Sequence, residues 1–258
     1  MSLLEKPLPI PSLTVSVVSH GQRDMVAALV LQLAGLLDPS LTRVVVIHNL
    51  PDADLPKPPD AIFELVQLHN PEPLGFSANH NRAFAHCETP YFAVLNPDIE
   101  LQFGNPFPAL LDAMFRDERL GAVAPALVQP TTLHIEPNRG LVTPWEIVRR
   151  RMPGHQPPKE PAWLVGAFVF IRTIAYRELG GFDERFRLYC EDVDLGVRLC
   201  KRGWNIRRID TVRALHRTQR SSHKSMKYMW FHSLSILKIW IKFIHYAKAD
   251  ETAGRRKL

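Results

Sequence analysis

The sequence predicts an α/β chain built on a mostly parallel, doubly wound sheet with helices on its faces. Three observations carry this. Short apolar runs such as the valine-rich Leu13–Ser19 and Tyr91–Asn96 show little polar alternation, as strands buried on both faces should. Segments with apolar residues at helical spacing stand between them, which gives the βαβ order of a doubly wound sheet with right-handed crossovers. A length of 258 residues, 46% hydrophobic and 22% charged, suits one globular domain or slightly more.

The elements follow in order. Leu13–Ser19 is the first strand. From Gln22 to Leu37, Met25, Val26, Leu29, Leu33, Leu36 and Leu37 fall on one helical face, and Asp38-Pro39 stops the run. Arg43–His48 and Ala61–Leu68 read as strands, joined by the Pro/Asp-rich loop Pro51–Asp60. Ser77–Cys87 reads as a helix with Ser77 as N-cap, and Tyr91–Asn96 as the fourth strand. Pro106–Asp117 adds a helix and Gly121–Val128 a strand. Between Gln129 and Pro161 the composition shifts: seven prolines and the run Arg149-Arg150-Arg151 make a long loop, read as an acceptor-side loop or lid. Trp163–Ile171 resumes as a strand, Thr173–Leu179 as a helix stopped by Gly180-Gly181, Asp192–Arg202 as a helix ending at Gly203, and Trp204–Ile209 as a short strand.

Composition excludes several classes. Cys87, Cys190 and Cys200 have neither an even count nor CxxC spacing, so a disulfide framework or zinc cage is not expected. Met1–Pro11 lacks the apolar core of a signal peptide, and no apolar run approaches the ~20 residues of a spanning helix. A cytoplasmic location is expected, with room for peripheral contact at the inner face of the plasma membrane. The net charge of +6 is concentrated in the second half and implies anionic partners. Nucleic acid is not among them, since no reader motif appears.

The candidate chemistry begins where Tyr91–Asn96 delivers Asp98 to the carboxyl end of a buried strand, the place where open α/β sheets bind ligands. His216 follows a later strand, and a carboxylate with an imidazole suits Mg²⁺ or Mn²⁺ completed by a diphosphate. In Glu191-Asp192-Val193-Asp194, crowded carboxylates raise one pKa, and Asp192 is the expected base; an acidic first helical turn accounts for Glu191 and Asp194. Gly75-Phe76-Ser77-Ala78-Asn79-His80-Asn81 brings a glycine turn to a helix N-terminus, a setting that accommodates phosphate.

In this order and spacing these segments resemble a family 2 glycosyltransferase with the GT-A fold, near the bacterial rhamnosyltransferase-like branch. The carriers are Thr14–Ser19, Val44-Val45-Val46-Ile47-His48-Asn49, Pro73–Asn81, Leu95-Asn96-Pro97-Asp98, Gly180–Glu184 and Tyr189–Leu195, within a span from Val15 to His216. The resemblance implies an inverting transfer of sugar from a dTDP- or UDP-sugar to a glycan or lipid-linked glycan in cell-surface polysaccharide synthesis. It implies Asp192 as base, Asp98 and His216 as metal ligands, and Ser19, His20, Asn49, Gly75, Asn79, Asn81, Asn96 and Asp98 along the nucleotide sugar. Gly166 and Glu191 fall on the acceptor side. Two positions depart from the family pattern: His48-Asn49 stands where Asp-Asn is usual, and Ser19-His20-Gly21 where Tyr-Asn is common. A catalytically silent binding module of a polysaccharide-assembly complex is the alternative these departures support.

The expected division is a transferase domain over 1–222, nucleotide-binding over about 12–128 and acceptor-binding over 129–222, then a helix and basic tail over 223–258. In that tail Lys224, Lys227, Ser235, Lys238, Lys242 and His245 form one helical stripe beside a wide apolar face rich in tryptophan and isoleucine. This suits an interfacial membrane helix over 224–247, with packing on the chain's own domain or pairing in a homodimer as the alternatives.

Overall fold

The computed structural model describes residues 12–217 and 232–244. The N-terminal segment Met1–Pro11 and the tail residues Lys224, Lys227 and His245 lie outside the described residues. The elements are β1 (Leu13–Ser19), α1 (Arg23–Gly35), β2 (Leu41–His48), β3 (Glu64–His69), α2 (Phe76–Phe84), β4 (Tyr91–Leu95), β5 (Ile99–Glu100), α3 (Phe107–Arg116), β6 (Leu120–Val128), α4 (Pro144–Arg149), β7 (Phe168–Arg172), α5 (Thr173–Glu178), α6 (Glu191–Lys201) and β8 (Asn205–His216). A further helix, α7, covers 232–244.

One sheet runs in the order β3-β2-β1-β4-β7-β6-β8-β5. The first four strands pair in parallel, as β6 does with β8, whereas β7 lies antiparallel between β4 and β6. The reversal has a simple cause. The proline-rich excursion leaves β6 at its carboxyl end and returns to the sheet at that same end, so the next strand must run backwards.

The continuous apolar strands are explained by the two cores. Val15, Val17, Val44, Val46, Phe168 and Phe170 face a core completed by α1 and α3. Val45, Ile47, Phe92, Val94, Val169 and Ile171 alternate with them and face a second core beneath α2, α5 and α6. Each fully buried side chain of this size contributes about 1.5–3 kcal/mol, so the sheet is fixed from both faces and its carboxyl-end loops are left to carry function.

Several boundaries differ from the sequence reading. The third strand begins at Glu64, because Ala61 and Phe63 are buried ahead of it without joining the ladder. The strand expected from Trp163 begins at Phe168, since Trp163 bridges to Arg139 instead. Gly75, not Ser77, caps α2, and the Ser77 hydroxyl donates to the Phe186 carbonyl at 2.8 Å. The last strand continues to His216 along β6 through a register shift at Pro125/Ala126.

The stripe on α7 is turned toward the protein. Ser235 Oγ donates to Leu188 O at 2.9 Å, Lys238 Nζ to Arg185 O at 2.9 Å, and Lys242 Nζ pairs with Asp183 at 2.7 Å and with Asp194. Burial would push the Asp183 carboxyl up, but hydrogen bonds from Arg185 and Lys242 outweigh it and hold the group well below its ordinary range. Ile239 is fully buried in a third cluster with Val142, Phe186 and Val193, and Trp240 Nε1 donates to Val142 O at 2.7 Å. The lysines expected to face lipid at 238 and 242 are bonded to the chain itself, and Leu237, Ile241 and Ile244 are the exposed large apolar residues of α7. Among the described residues no helix is long and apolar enough to cross a membrane.

Candidate active site

Asp98 sits in the turn between β4 and β5. Because β5 pairs with β8 in a register that puts Ile99 opposite His216, the acid and the imidazole must be neighbours. His216 Nε2 lies 3.7 Å from Asp98 Oδ2, and its Nδ1 lies 3.5 Å from Glu136 Oε1. Both flanking acids are largely enclosed, and Arg139 closes the row on Glu136 at 2.9 Å. The nearby His216 imidazole, then Arg139, holds the Glu136 carboxyl below its usual range against the opposing effect of burial. Neither Glu136 nor Arg139 was singled out in the sequence. They come from the proline-rich loop, where no spacing links them to His216.

The second acid is built differently. Tyr189 and Cys190 both adopt left-handed backbone (φ 70° and 67°), an uncommon state for residues with side chains. This kink starts α6 with Glu191 and Asp192 in its first turn. Asp192 Oδ2 accepts from Gly166 N at 3.0 Å and Oδ1 from Val193 N at 2.8 Å. Burial raises both carboxyls, and the Asp192 charge raises Glu191 further; for Asp192 the backbone donors and Arg139 act in the opposite direction. Of the two, Glu191 is pushed up by burial and by the Asp192 charge, whereas Asp192 has amide donors that favour its charged form. An anion with a raised pKa is a competent proton acceptor near neutral pH. Glu191 and Asp192 line an open cavity of ≈ 640 Å³ with Arg139, Arg150, Arg151 and Trp163. The third acid, Asp194, is structural: it is fully buried and paired with Arg198 at 2.6 Å.

The remaining candidates divide into two groups. Ser19, His20 and Asn49 stand together at the ends of β1 and β2: Asn49 Nδ2 meets His20 Nδ1 at 2.8 Å, Asn49 N donates to Ser19 O at 2.8 Å, and Ser19 Oγ is buried without a hydrogen-bond partner. Asn96 leads into the Asp98 turn, its N–H donating to Ala167 O at 2.8 Å. Gly75, Asn79 and Asn81, in contrast, hold the fold. A Cβ at Gly75 would lie 2.6 Å from Arg187 O, and Phe76 N donates to that same carbonyl at 2.8 Å. The first turn of α2 is thus engaged by the chain itself rather than offered to phosphate. Asn79 Nδ2 donates to Gly75 O at 2.9 Å and its Oδ1 accepts from Asn70. Asn81 accepts from Tyr176 OH and Phe182 N and donates to Phe182 O, which ties α2 to the Gly180-Gly181 turn.

His48 is buried, its ring stacked on His69 at 4.5 Å and 7°, with Asp54 2.7 Å from His69 Nε2. Among the described residues, His48, Asp54 and His69 bring their ligand atoms within 4.8 Å of one another.

The sequence model described as Glycosyl transferase family group 2 matches residues 126–242. Over that stretch, a little under half of its length, the chain is similar to the family 2 glycosyltransferases. Rhamnosyltransferases are among its sequence relatives. It is 32% identical over 146 residues to an N-acetylglucosaminyl-diphospho-decaprenol L-rhamnosyltransferase of Mycobacterium tuberculosis, an overlap of 50% of this chain and 47% of the relative. The chain thus spans about half the length of that curated relative. It is 23% identical to Rhamnosyltransferase WbbL of Escherichia coli over 78% of this chain and 82% of WbbL. Among solved structures, the mannosyltransferase PcManGT from Pyrobaculum calidifontis, in complex with GDP-Man and Mn²⁺, superposes with a TM-score of 0.62 at 16% identity, covering 93% of this chain and 68% of that one. GalNAc-T7 with UDP, GalNAc and Mn²⁺ gives a TM-score of 0.56 at 14% identity, covering 81% of this chain and 44% of that one. These two likenesses establish the GT-A fold.

Proposed function

We propose that this glycosyltransferase moves a sugar from a nucleoside-diphosphate donor, of the dTDP or UDP class, to a hydroxyl of a lipid-linked glycan acceptor, with inversion at the anomeric carbon. The observation that carries the reading is the Asp192 carboxylate, held by the Gly166 and Val193 amides at the wall of an open ≈ 640 Å³ cavity. Asp192 takes the proton of the acceptor hydroxyl as that oxygen forms its bond to the anomeric carbon. The bond from that carbon to the diphosphate oxygen breaks, and the nucleoside diphosphate leaves. Ser19, His20 and Asn49, at the ends of the parallel strands, receive the nucleoside.

The Mn²⁺ bound by the fold neighbours favours a divalent ion in the same reaction. The residues fit one: a carboxylate and an imidazole from distant parts of the chain face each other at 3.7 Å, with the imidazole's second nitrogen turned to Glu136. Asp98 and His216 would hold Mg²⁺ or Mn²⁺, which when bound neutralises charge on the leaving diphosphate. The His48–His69 pair suits this less well, because stacked imidazoles aim their in-plane lone pairs along parallel rather than converging directions.

Purified protein assayed with a panel of nucleotide sugars and a lipid-linked acceptor tests the reading. Asp192→Asn should lower turnover by roughly 10²–10⁴-fold, the usual contribution of a general base, with nucleotide affinity unchanged. Undiminished turnover in that variant would remove Asp192 from the mechanism.

A further inference from the structure

The cavity beside Asp192 has an uneven wall. Arg139, Arg150 and Arg151 stand on the side formed by the proline-rich loop, and among the described residues the only carboxyls lining it are Glu191 and Asp192. Arg139 already pairs with Glu136, and Arg151 Nη1 donates to the Ile147 carbonyl at 2.8 Å. The half-buried Arg150 guanidinium makes no hydrogen bond or ion pair with a described residue. Burial, then the charge of Arg139, weaken its hold on its proton; Glu146 acts against them, and Arg151 with them. Three cations gathered on one cavity wall, with one of them unmatched, suit a multiply charged anion.

The same short helix says what kind of anion. Ile147 of α4 lines the cavity together with Val142 and Ile236, whereas Trp145, Val148 and Met152 are exposed at 67%, 54% and 52%. A cationic wall next to exposed tryptophan, valine and methionine matches a ligand that is an anion at one point and a hydrocarbon beyond it. A nucleotide offers the anion without the hydrocarbon. The cavity volume falls within the ~300–1,000 Å³ usual for small-ligand sites.

We propose that Arg150 and Arg151, backed by Arg139, seat the diphosphate of a lipid-linked acceptor at the cavity mouth, with the lipid leaving past Trp145, Val148 and Met152 and the acceptor sugar directed to Asp192. This rests on the transferase reading above and assigns the acceptor's charged group to residues distinct from those that receive the donor.

Farnesyl diphosphate, as a soluble probe, titrated into the full chain by calorimetry tests it, with farnesol, inorganic diphosphate, UDP and dTDP as the comparison arms. Farnesyl diphosphate should bind, inorganic diphosphate more weakly and farnesol weakest. The double variant Arg150→Gln, Arg151→Gln should raise the farnesyl diphosphate Kd at least tenfold and leave the UDP and dTDP values within twofold. No binding of farnesyl diphosphate to the unaltered chain, or unchanged binding in the double variant, overturns the proposal. An equal loss of nucleotide affinity also overturns it, by returning the arginines to the donor. Arginine-dependent binding of farnesyl diphosphate in a chain that transfers no sugar would leave the seat standing and sink the transferase reading alone.

Discussion

His80 shows how a residue in a functional-looking motif can be purely structural. It stands within the Gly75–Asn81 segment, yet it is 1% exposed, with Nδ1 2.8 Å from Ser16 Oγ and its ring against Phe76 and Phe182. Burial lowers its pKa from 6.5 to about 3, so it is neutral in the folded chain at every ordinary pH. The unfolded chain takes up the proton near 6.5, so this group's stabilisation is complete above that pH. It is lost as pH falls toward 3, at about 1.4 kcal/mol per pH unit. Denaturant titrations at pH 7.5 and 5.5 should therefore show a drop that is larger in the wild type than in His80→Asn by about 1.4 kcal/mol. Equal drops in the two proteins would contradict a neutral buried imidazole. Neighbouring Asn81 has the same lesson: its type and place suggested a ligand, but Tyr176 and Phe182, far along the chain, take its hydrogen-bonding groups.

At the scale of elements, the long helices and buried strands were readable because period and burial agree in them. Leu13–Ser19 was read to the residue, and α1, α3 and α6 to within about two residues. Elements whose existence depends on partners were not readable. β5 has only Ile99 and Glu100, and β8 runs past Ile209 because β6 is there to pair with it. The orientation of α7 belongs with these. Periodicity found its polar stripe, but Asp183 and Asp194, which receive Lys242, come from another element. If α7 is a docked part of the domain, Ile239→Ala should cost roughly 2–5 kcal/mol, as for other fully buried large-to-small changes. A loss below ~0.5 kcal/mol by chemical denaturation would mean that the helix contributes little to the folded domain.

Over the whole molecule, the candidate site is a meeting of distant segments. Asp98 and His216 were found from the sequence because each ends a strand, and the β5–β8 register makes them adjacent. Glu136 was invisible, since its contact with His216 requires the proline-rich loop to fold back along β6, as the Val128–Ile135 bridge begins to do. On the proposed metal reading, Glu136, 3.5 Å from Nδ1, orients the imidazole and leaves Nε2 facing Asp98. Glu136→Gln should then weaken Mn²⁺ binding ten- to a hundredfold by spectroscopic titration, the usual range for such outer partners. Unchanged affinity would make Glu136 a packing residue only.

The antiparallel course of β7 has a wider consequence. Residues 129–167 depart from and rejoin the sheet at the carboxyl ends of its parallel strands, so their length and composition are free of the constraints that govern the strands below. That stretch behaves as an interchangeable cassette, tethered by a few side-chain clasps such as Glu136 with His216. A change of sequence within it can reshape the cavity wall that carries Arg139, Arg150 and Arg151 without disturbing the strand pairing beneath.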